Sequence, residues 1–493
     1  MKKATVLGAG ISGLAAAATL AKYNIDVDVF DNQNSAGGRC RILEASNFKF
    51  DMGPSWYWMP DVMEKFFQKF DKSVDDYFDL QQLDPGFRVY FGKNDFFDIS
   101  SDVQKQKELF ESIEPGAGEK LTKILCDAKI KYDIGVNDLV YKRSDSIFEF
   151  FSLPLLVKMI QLGAVKSFHS YIREYFKDPR LLALMEFPIL FLGGTAKSTP
   201  SLYSLMNHSC FTQGTFYPMG GFNKLAEAMH RLCVELGVQF HFNESVSEID
   251  KTENLIKGIK NQPTDGFISS IDYHHFDKHI LKNGSENYDE KFWNKQILSP
   301  SALIFYIGVK GKVENLIHHN LFFDESFDQH AVEIYTDPKW PEKPLFYVCC
   351  PSKTDPSVAP ESDENLFILM PLAPGLVDTE ELRDRYFEKL MNRLEKNTGE
   401  IISNRIIYKK SYCINDFKSD YNSYKGNAYG LANTLKQTAF MRPKMRNKKI
   451  KNLFYCGQLT VPGPGVPPSV ISGQVAAAQL LSYFNKKSYE TYL

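Results

Sequence analysis

Residues 4–31 read ATVLGAGISGLAAAATLAKYNIDVDVFD, and that stretch decides the fold. Ala4–Leu7 is a short apolar run suited to a buried strand, and Ile11–Tyr23 is an alanine-rich helix. Ile25–Phe30 alternates into a second strand, completing a βαβ unit in about 30 residues. Gly8, Gly10 and Gly13 lie between the first strand and the helix. In that context their spacing serves a tight turn, close backbone approach to a pyrophosphate, and tight packing of helix on strand. The helix start at Ile11 and Ser12 turns free amides and a positive dipole end toward phosphate. Asp31, followed by Asn32, ends the second strand where a carboxylate reaches ribose hydroxyls. Dinucleotide binding is the expectation.

Working outward, Gly37-Gly38-Arg39 adds flexible backbone and a permanent cation near the same pyrophosphate. An ordinary NAD site needs no such extension, so the pattern points to FAD. Asp51-Met52-Gly53-Pro54, running on into Ser55 and Trp56, is a compact turn that brings backbone against an isoalloxazine ring. Near the other end, Leu453–Gly457 reads as a strand ending in glycine, followed by Gln458. Gly463–Gly473 then leads into a second alanine-rich helix, with Gly465, Val466, Pro467 and Val470 at its start. Glycines before a helix N-terminus suit a second anion-facing site, here for ribityl, phosphate and ring contacts.

The Gly-Gly-Arg run and the closing segment together resemble the amino-oxidase and carotenoid-desaturase superfamily of flavoproteins. Three segments narrow the likeness to bacterial phytoene desaturases: Phe50–Pro60, Tyr217–Gly221 and Gly457–Gly465. Ser269–His275 is similar to a strand-end segment of that family, whereas Asp31 stands where many relatives carry Glu. The resemblance implies FAD held without a covalent bond, with Val246 among its contacts. It also implies dehydrogenation of phytoene, a C40 polyene, toward lycopene, with oxygen or a quinone reoxidising the flavin. The implied fold is α/β: a Rossmann-type FAD-binding domain, a second substrate-binding sheet domain and a helical membrane-associated region. Residues 1–75, 215–290 and 445–493 are expected in the FAD-binding domain. Residues 76–110 and 291–444 are expected in the substrate sheet, and 111–214 in the helical region. Strands are expected at Val238–Phe242, Val246–Ile249, Gly266–Ile271, Ser301–Val309, Leu345–Cys350 and Asn365–Leu372.

Composition is ordinary for a folded globular protein. The 493 residues are 43% apolar and 24% charged, and the net charge of −2 carries no footprint for nucleic acid. The 38 Phe and 25 Tyr suit a large apolar ligand cavity. Eight cysteines form no C-x-x-C pair, and the ten histidines show no zinc spacing, so no metal is expected. Lys2 and Lys3 precede a run that imitates a signal peptide, but the three glycines break its apolar core. No stretch approaches the roughly 18–20 apolar residues that span a bilayer. The Phe- and Leu-rich stretch Phe148–Leu162, beside Lys158 and Lys166, fits either a helical core or a face dipping into lipid. The expected location is cytoplasmic, peripherally bound to the inner face of the cell membrane. No catalytic residue is assigned; Asp133 and Glu186 are the candidate general bases. A desaturase of a hydroxylated or partly desaturated carotenoid, a redox-neutral FAD-dependent isomerase and a non-catalytic polyene carrier remain open.

Overall fold

The computed structural model describes residues 1–146, 149, 161–163, 166–282, 284–434 and 436–493. The stretch expected to meet lipid, Phe148–Leu162, lies outside them except for residues 149, 161 and 162.

The opening segment folds as expected into strand Lys3–Leu7 (β1), helix Ile11–Lys22 (α1) and strand Asp26–Phe30 (β2). Five parallel strands form the sheet, in the order Leu453–Tyr455, Gly266–Ser269, β1, β2, Gln239–His241. Chain order reverses at β1, and the crevice beyond the strand ends at such a reversal is where α/β sheets hold ligands. Gly8 and Ser270 meet there, with Ser270 Oγ donating to the Gly8 carbonyl at 3.0 Å.

The small side chains of α1 follow from its position. It is buried from Ile11 to Leu20 and is crossed by helix Val466–Asn485. A Cβ on Gly473 would stand 2.1 Å from the Ser12 carbonyl oxygen, so the two backbones touch. Alanine and glycine permit that approach while still burying apolar surface.

A second, seven-stranded sheet runs Ile406–Tyr412, Ser301–Val309, Glu364–Leu372, Phe346–Cys349, His319–Phe322, Phe87–Gly92, Asp95–Ile99. Its pairings are antiparallel except for the parallel pair of His319–Phe322 with Phe87–Gly92. The two-residue period divides its strands cleanly. Ala302, Ile304, Tyr306, Leu321 and Tyr347 join the large core shared with the first sheet. Leu303, Phe305, Ile307, Phe322 and Val348 face the opposite way, onto helix Glu380–Thr398 through Tyr386, Leu390 and Leu394.

One expectation needs correction. Val246–Ile249 pairs with no strand; it runs in extended coil past the edge strand Gln239–His241, where the Glu244 amide donates to the Asp31 carbonyl at 2.9 Å. Residues 380–398, for which the sequence analysis names no element, form a long helix capped by Thr379 and ended by Gly399 at φ 74°. Among the described residues no helix is long and apolar enough to cross a membrane.

Candidate cofactor and substrate site

A cavity of about 450 Å³, within the usual range for ligand sites, opens at the carboxyl ends of the parallel sheet. Gly8, Gly10, Ile11, Ser12, Asp31, Asn32, Gly37, Gly38 and Arg39 line it. So do Gly53, Pro54, Ser55, Trp56, Val246, Gly457, Gln458, Gly465, Val466 and Pro467. Gly13 and Val470 do not border it. Gly13 lies against the Gly8 carbonyl, where a Cβ would be only 1.9 Å away, and Val470 is wholly buried in its helix.

The two glycine segments pack backbone to backbone. Gly37 donates to the Ala9 carbonyl at 2.9 Å, and a Cβ on Gly38 would sit 3.1 Å from Gly10 Cα. Gly10 begins α1 with no side-chain cap, which leaves the first amides of the helix to a ligand. Arg39 reaches the same cavity. It donates to Ser423 Oγ at 2.7 Å and lies 4.6 Å over the Tyr421 ring, while its Nε has no partner. Burial lowers its pKa, yet an arginine stays charged in a protein. Asp31 accepts from the Ala9 and Gln33 amides at 2.6 and 2.8 Å, and burial raises its pKa. Each carboxylate oxygen still has a lone pair for a ribose hydroxyl.

The turn after Asp51 is held rigidly. Burial pushes the Asp51 carboxyl up to about 7, and it accepts from the Phe222 and Asn223 amides at 2.7 and 3.1 Å. Tyr306 donates to the Met52 carbonyl at 2.8 Å, and a Cβ on Gly53 would meet the Arg39 carbonyl at 2.7 Å. At the second helix start, Pro467 and Pro468 have no N–H to offer. Val466 and the helix dipole are therefore what Gly465 brings to the cavity.

An unpaired buried guanidinium nitrogen, an uncapped helix start and glycine backbones with no room for Cβ all suit the diphosphate of FAD. These residues would hold it at Gly8–Ser12, Asp31 and Gly37–Arg39.

The structure adds residues that spacing does not announce. Ser270, Ile271 and Asp272 line the cavity at the switch point, within the strand-end segment singled out above. Tyr421 and Asp420 arrive from the last turn of the distant helix Ile414–Tyr421, where Asp420 pairs with Arg41 at 2.9 Å. Arg442, buried and with its pKa lowered to about 10 by desolvation, clasps the closing segment. It donates to the Leu431 carbonyl and Asn433 Oδ1 at 2.7 and 2.6 Å, and to the Thr460 carbonyl at 3.3 Å.

Apolar side chains, among them Phe187, Met206, Leu321, Phe323, Phe327 and Leu369, supply much of the remaining wall. Neither candidate base reaches it. Asp133 pairs with Lys129 at 2.7 Å on an exposed helix face, and Glu186 is tied to Arg173 and His169. Sequence spacing suggests no metal set, yet strand pairing gathers ligand atoms of His318, His319 and Cys349 within 4.8 Å of one another.

Among the described residues, the two thiols and His330 of the wall are poorly suited to covalent attachment of the flavin. Burial pushes the Cys456 thiol up to about 12 and Cys40 higher still, so neither is a thiolate near neutral pH. His330 uses both ring nitrogens, on the Pro371 carbonyl and the Leu345 amide. Acid precipitation is expected to leave the yellow flavin in the supernatant, and flavin retained in the pellet would refute non-covalent binding.

The parallel sheet with its glycine turns, joined to an apolar cavity, defines a flavoprotein that oxidises a small molecule. Residues 11–481 match the flavin containing amine oxidoreductase family. A carotenoid 3,4-desaturase from Haloarcula japonica is 39% identical over 97% of each chain. A zeta-carotene-forming phytoene desaturase from Myxococcus xanthus is 28% identical over 98% of this chain and 94% of its own. The crystal structure of an oxidoreductase from Methanosarcina mazei superposes with TM-score 0.62 at 16% identity, covering 96% of this chain and 98% of that one. The chain therefore belongs to the flavin containing amine oxidoreductases and, among them, to the carotenoid desaturase family; it is an FAD-dependent oxidoreductase.

Proposed function

We propose that the protein dehydrogenates CH–CH bonds of a long acyclic polyene, with phytoene converted toward lycopene as the reading its motifs favour. The observation that carries this is a cavity in which phosphate-binding glycines and an apolar wall are continuous. When bound, FAD supplies the acceptor for a hydrogen and its electron pair from the substrate. The protein's part is to hold the chain in place against the inner face of the second sheet and to keep water out.

The domain division given above is part of the proposal. So is peripheral attachment to the inner face of the cell membrane, because a C40 hydrocarbon must be collected from a bilayer. The sequence of Phe148–Leu162 supports it as the contact. Oxygen or a membrane quinone completes the cycle.

A second reading is favoured by one observation. Tyr335 and Tyr429 line the cavity, and among the described residues neither hydroxyl has a hydrogen-bond partner. Unpaired polar groups in an apolar site discriminate against a ligand that cannot satisfy them. An oxygenated carotenoid, desaturated near its end, would suit them, and the name of the 39% identical relative is that of a desaturase acting on carotenoids.

The test is to incubate purified holoenzyme in liposomes with phytoene, with lycopene and with a hydroxylated acyclic carotenoid. Products are then separated and their absorbance recorded. New conjugated double bonds from phytoene support the first reading, and from the hydroxylated carotenoid alone the second. Geometric isomers only would indicate an isomerase, and unchanged substrate a carrier.

A further inference from the structure

A polar string leads from the cavity wall into the core. Ser55 follows the Asp51 turn, and Tyr347 lies on strand Phe346–Cys349; both border the cavity. The Tyr347 hydroxyl donates to Ser55 Oγ at 3.0 Å and lies 2.6 Å from His319 Nδ1 on the neighbouring strand. A phenol has one hydrogen, and here Ser55 receives it. His319 therefore holds its own proton on Nδ1 and directs it at the Tyr347 oxygen at 2.6 Å, with Cys349 Sγ a longer contact of the same nitrogen at 3.7 Å. Its Nε2 is then a bare lone pair, and that atom has no partner among the described residues. Burial, with His318 alongside, lowers the pKa of His319 and keeps the ring neutral. Trp56, itself in the cavity wall, stacks on the imidazole at 4.2 Å and 12° and fixes its plane.

Donation thus runs one way, from His319 to Tyr347 to Ser55. The Ser55 hydroxyl has no acceptor among the described residues, so its hydrogen is available to whatever fills the cavity. We infer that His319 and Tyr347 are positioning residues that aim the Ser55 hydroxyl as a donor at the ring of bound FAD and raise its reduction potential. The inference rests on the reading of Gly53–Trp56 as the segment facing the ring.

On reduction, negative charge builds on the nitrogen–carbonyl edge of the ring. A donor fixed in advance at that edge stabilises the reduced form more than the oxidised one. An apolar surround strengthens the contact, and successive donors polarise one another. A hydrocarbon substrate offers nothing for polar groups to grip. Tuning the acceptor is one lever left to the protein.

Dye-coupled redox titration of the holoenzyme, with the flavin absorption spectrum, tests this in Ser55→Ala, Tyr347→Phe, His319→Leu and His319→Asn. The first three should shift the reduction equilibrium about tenfold or more against the reduced form, roughly 30 mV for a two-electron couple. His319→Asn keeps an N–H near the Nδ1 position and should restore most of the wild-type potential. Unchanged potentials in Tyr347→Phe and His319→Leu with FAD still bound would overturn the inference, and Tyr347→Phe decides if Ser55→Ala does not fold. Elemental analysis of the wild type closes the remaining escape. Stoichiometric zinc or copper held by His318, His319 and Cys349 would remove the bare Nε2 and the inference with it. A wild type that binds FAD but desaturates no carotenoid refutes the proposed function and leaves the potentials to be judged separately.

Discussion

Gly13→Ala is expected to lose both FAD and fold stability, whereas Gly10→Ala loses FAD alone. The new methyl at position 13 would lie 1.9 Å from the Gly8 carbonyl oxygen and 2.7 Å from Ser270 Oγ. The serine can rotate away, but the carbonyl belongs to the turn residue directly after β1, held by the Gly8 amide on the Phe30 carbonyl, and cannot. Helix α1 must shift, and it is wedged against Val466–Asn485, where Gly473 already touches Ser12. Overpacking of this kind typically costs about 1–3 kcal/mol, a large part of the roughly 5–15 kcal/mol that holds a domain together. The same shift carries the free amides of Ile11 and Ser12 away from the cavity. At position 10 the nearest atom to an added methyl is Gly38 Cα, 3.9 Å away, so the fold has room for it. That methyl would instead occupy the approach of the phosphates. Thermal unfolding of apoprotein and the flavin-to-protein ratio separate the two variants. Wild-type flavin content in Gly13→Ala would mean that the helix tolerates displacement and that the packing argument fails.

This contrast also explains which parts of the molecule can be read in the chain. The βαβ unit is legible because Gly10 and Gly13 answer to atoms of Gly38 and Gly8, within about 30 residues, so local spacing encodes those contacts. Gly8 also meets the distant Ser270. Strands Ser301–Val309 and Glu364–Leu372 are legible as continuous apolar runs because both faces of that sheet are covered. Val246–Ile249 imitates a strand by its side-chain alternation, but pairing needs a neighbouring edge, and no sequence pattern supplies one. The helix Glu380–Thr398 had a signal in its apolar positions 386, 390 and 394 between Thr379 and Gly399. The strand-like runs within residues 291–444 stand out instead, and no element is assigned to 380–398. The site divides in the same way. Gly37–Arg39 lies beside the glycine turn in sequence as well as in space. Arg442, Tyr421 and the His319–Tyr347–Ser55 string meet their partners only through tertiary pairing, and single residues without a repeating interval leave no pattern to find.

Arg39→Ala should weaken FAD binding by about ten- to a hundredfold while leaving the apoprotein as stable as wild type or slightly more so. The magnitude follows from losing a charge-assisted contact to phosphate, about 1.5–3 kcal/mol. The sign for the apoprotein follows from the surroundings of the guanidinium. It is desolvated strongly enough to lower its pKa. Its supports include the Ser423 hydroxyl at 2.7 Å, the Tyr421 ring at 4.6 Å, the Gln458 amide oxygen at 3.0 Å and the charge of Asp272. With Nε unpaired, these contacts offset only part of the cost of holding a cation out of water. The fold therefore maintains a charge whose full partner is the ligand, and removing it relieves that strain before FAD arrives. A structural arginine behaves in the opposite way, since deleting it lowers apoprotein stability and changes affinity only in proportion to lost fold. Arg39→Lys should recover part of the affinity, because a point charge replaces the planar fork without its paired donors. Fluorescence titration of apoprotein with FAD, beside a thermal melt without it, reads both quantities. An apoprotein markedly destabilised by Arg39→Ala, with the affinity of the folded fraction unchanged, would make Arg39 a residue of the turn and return the phosphate contact to the backbone amides of α1.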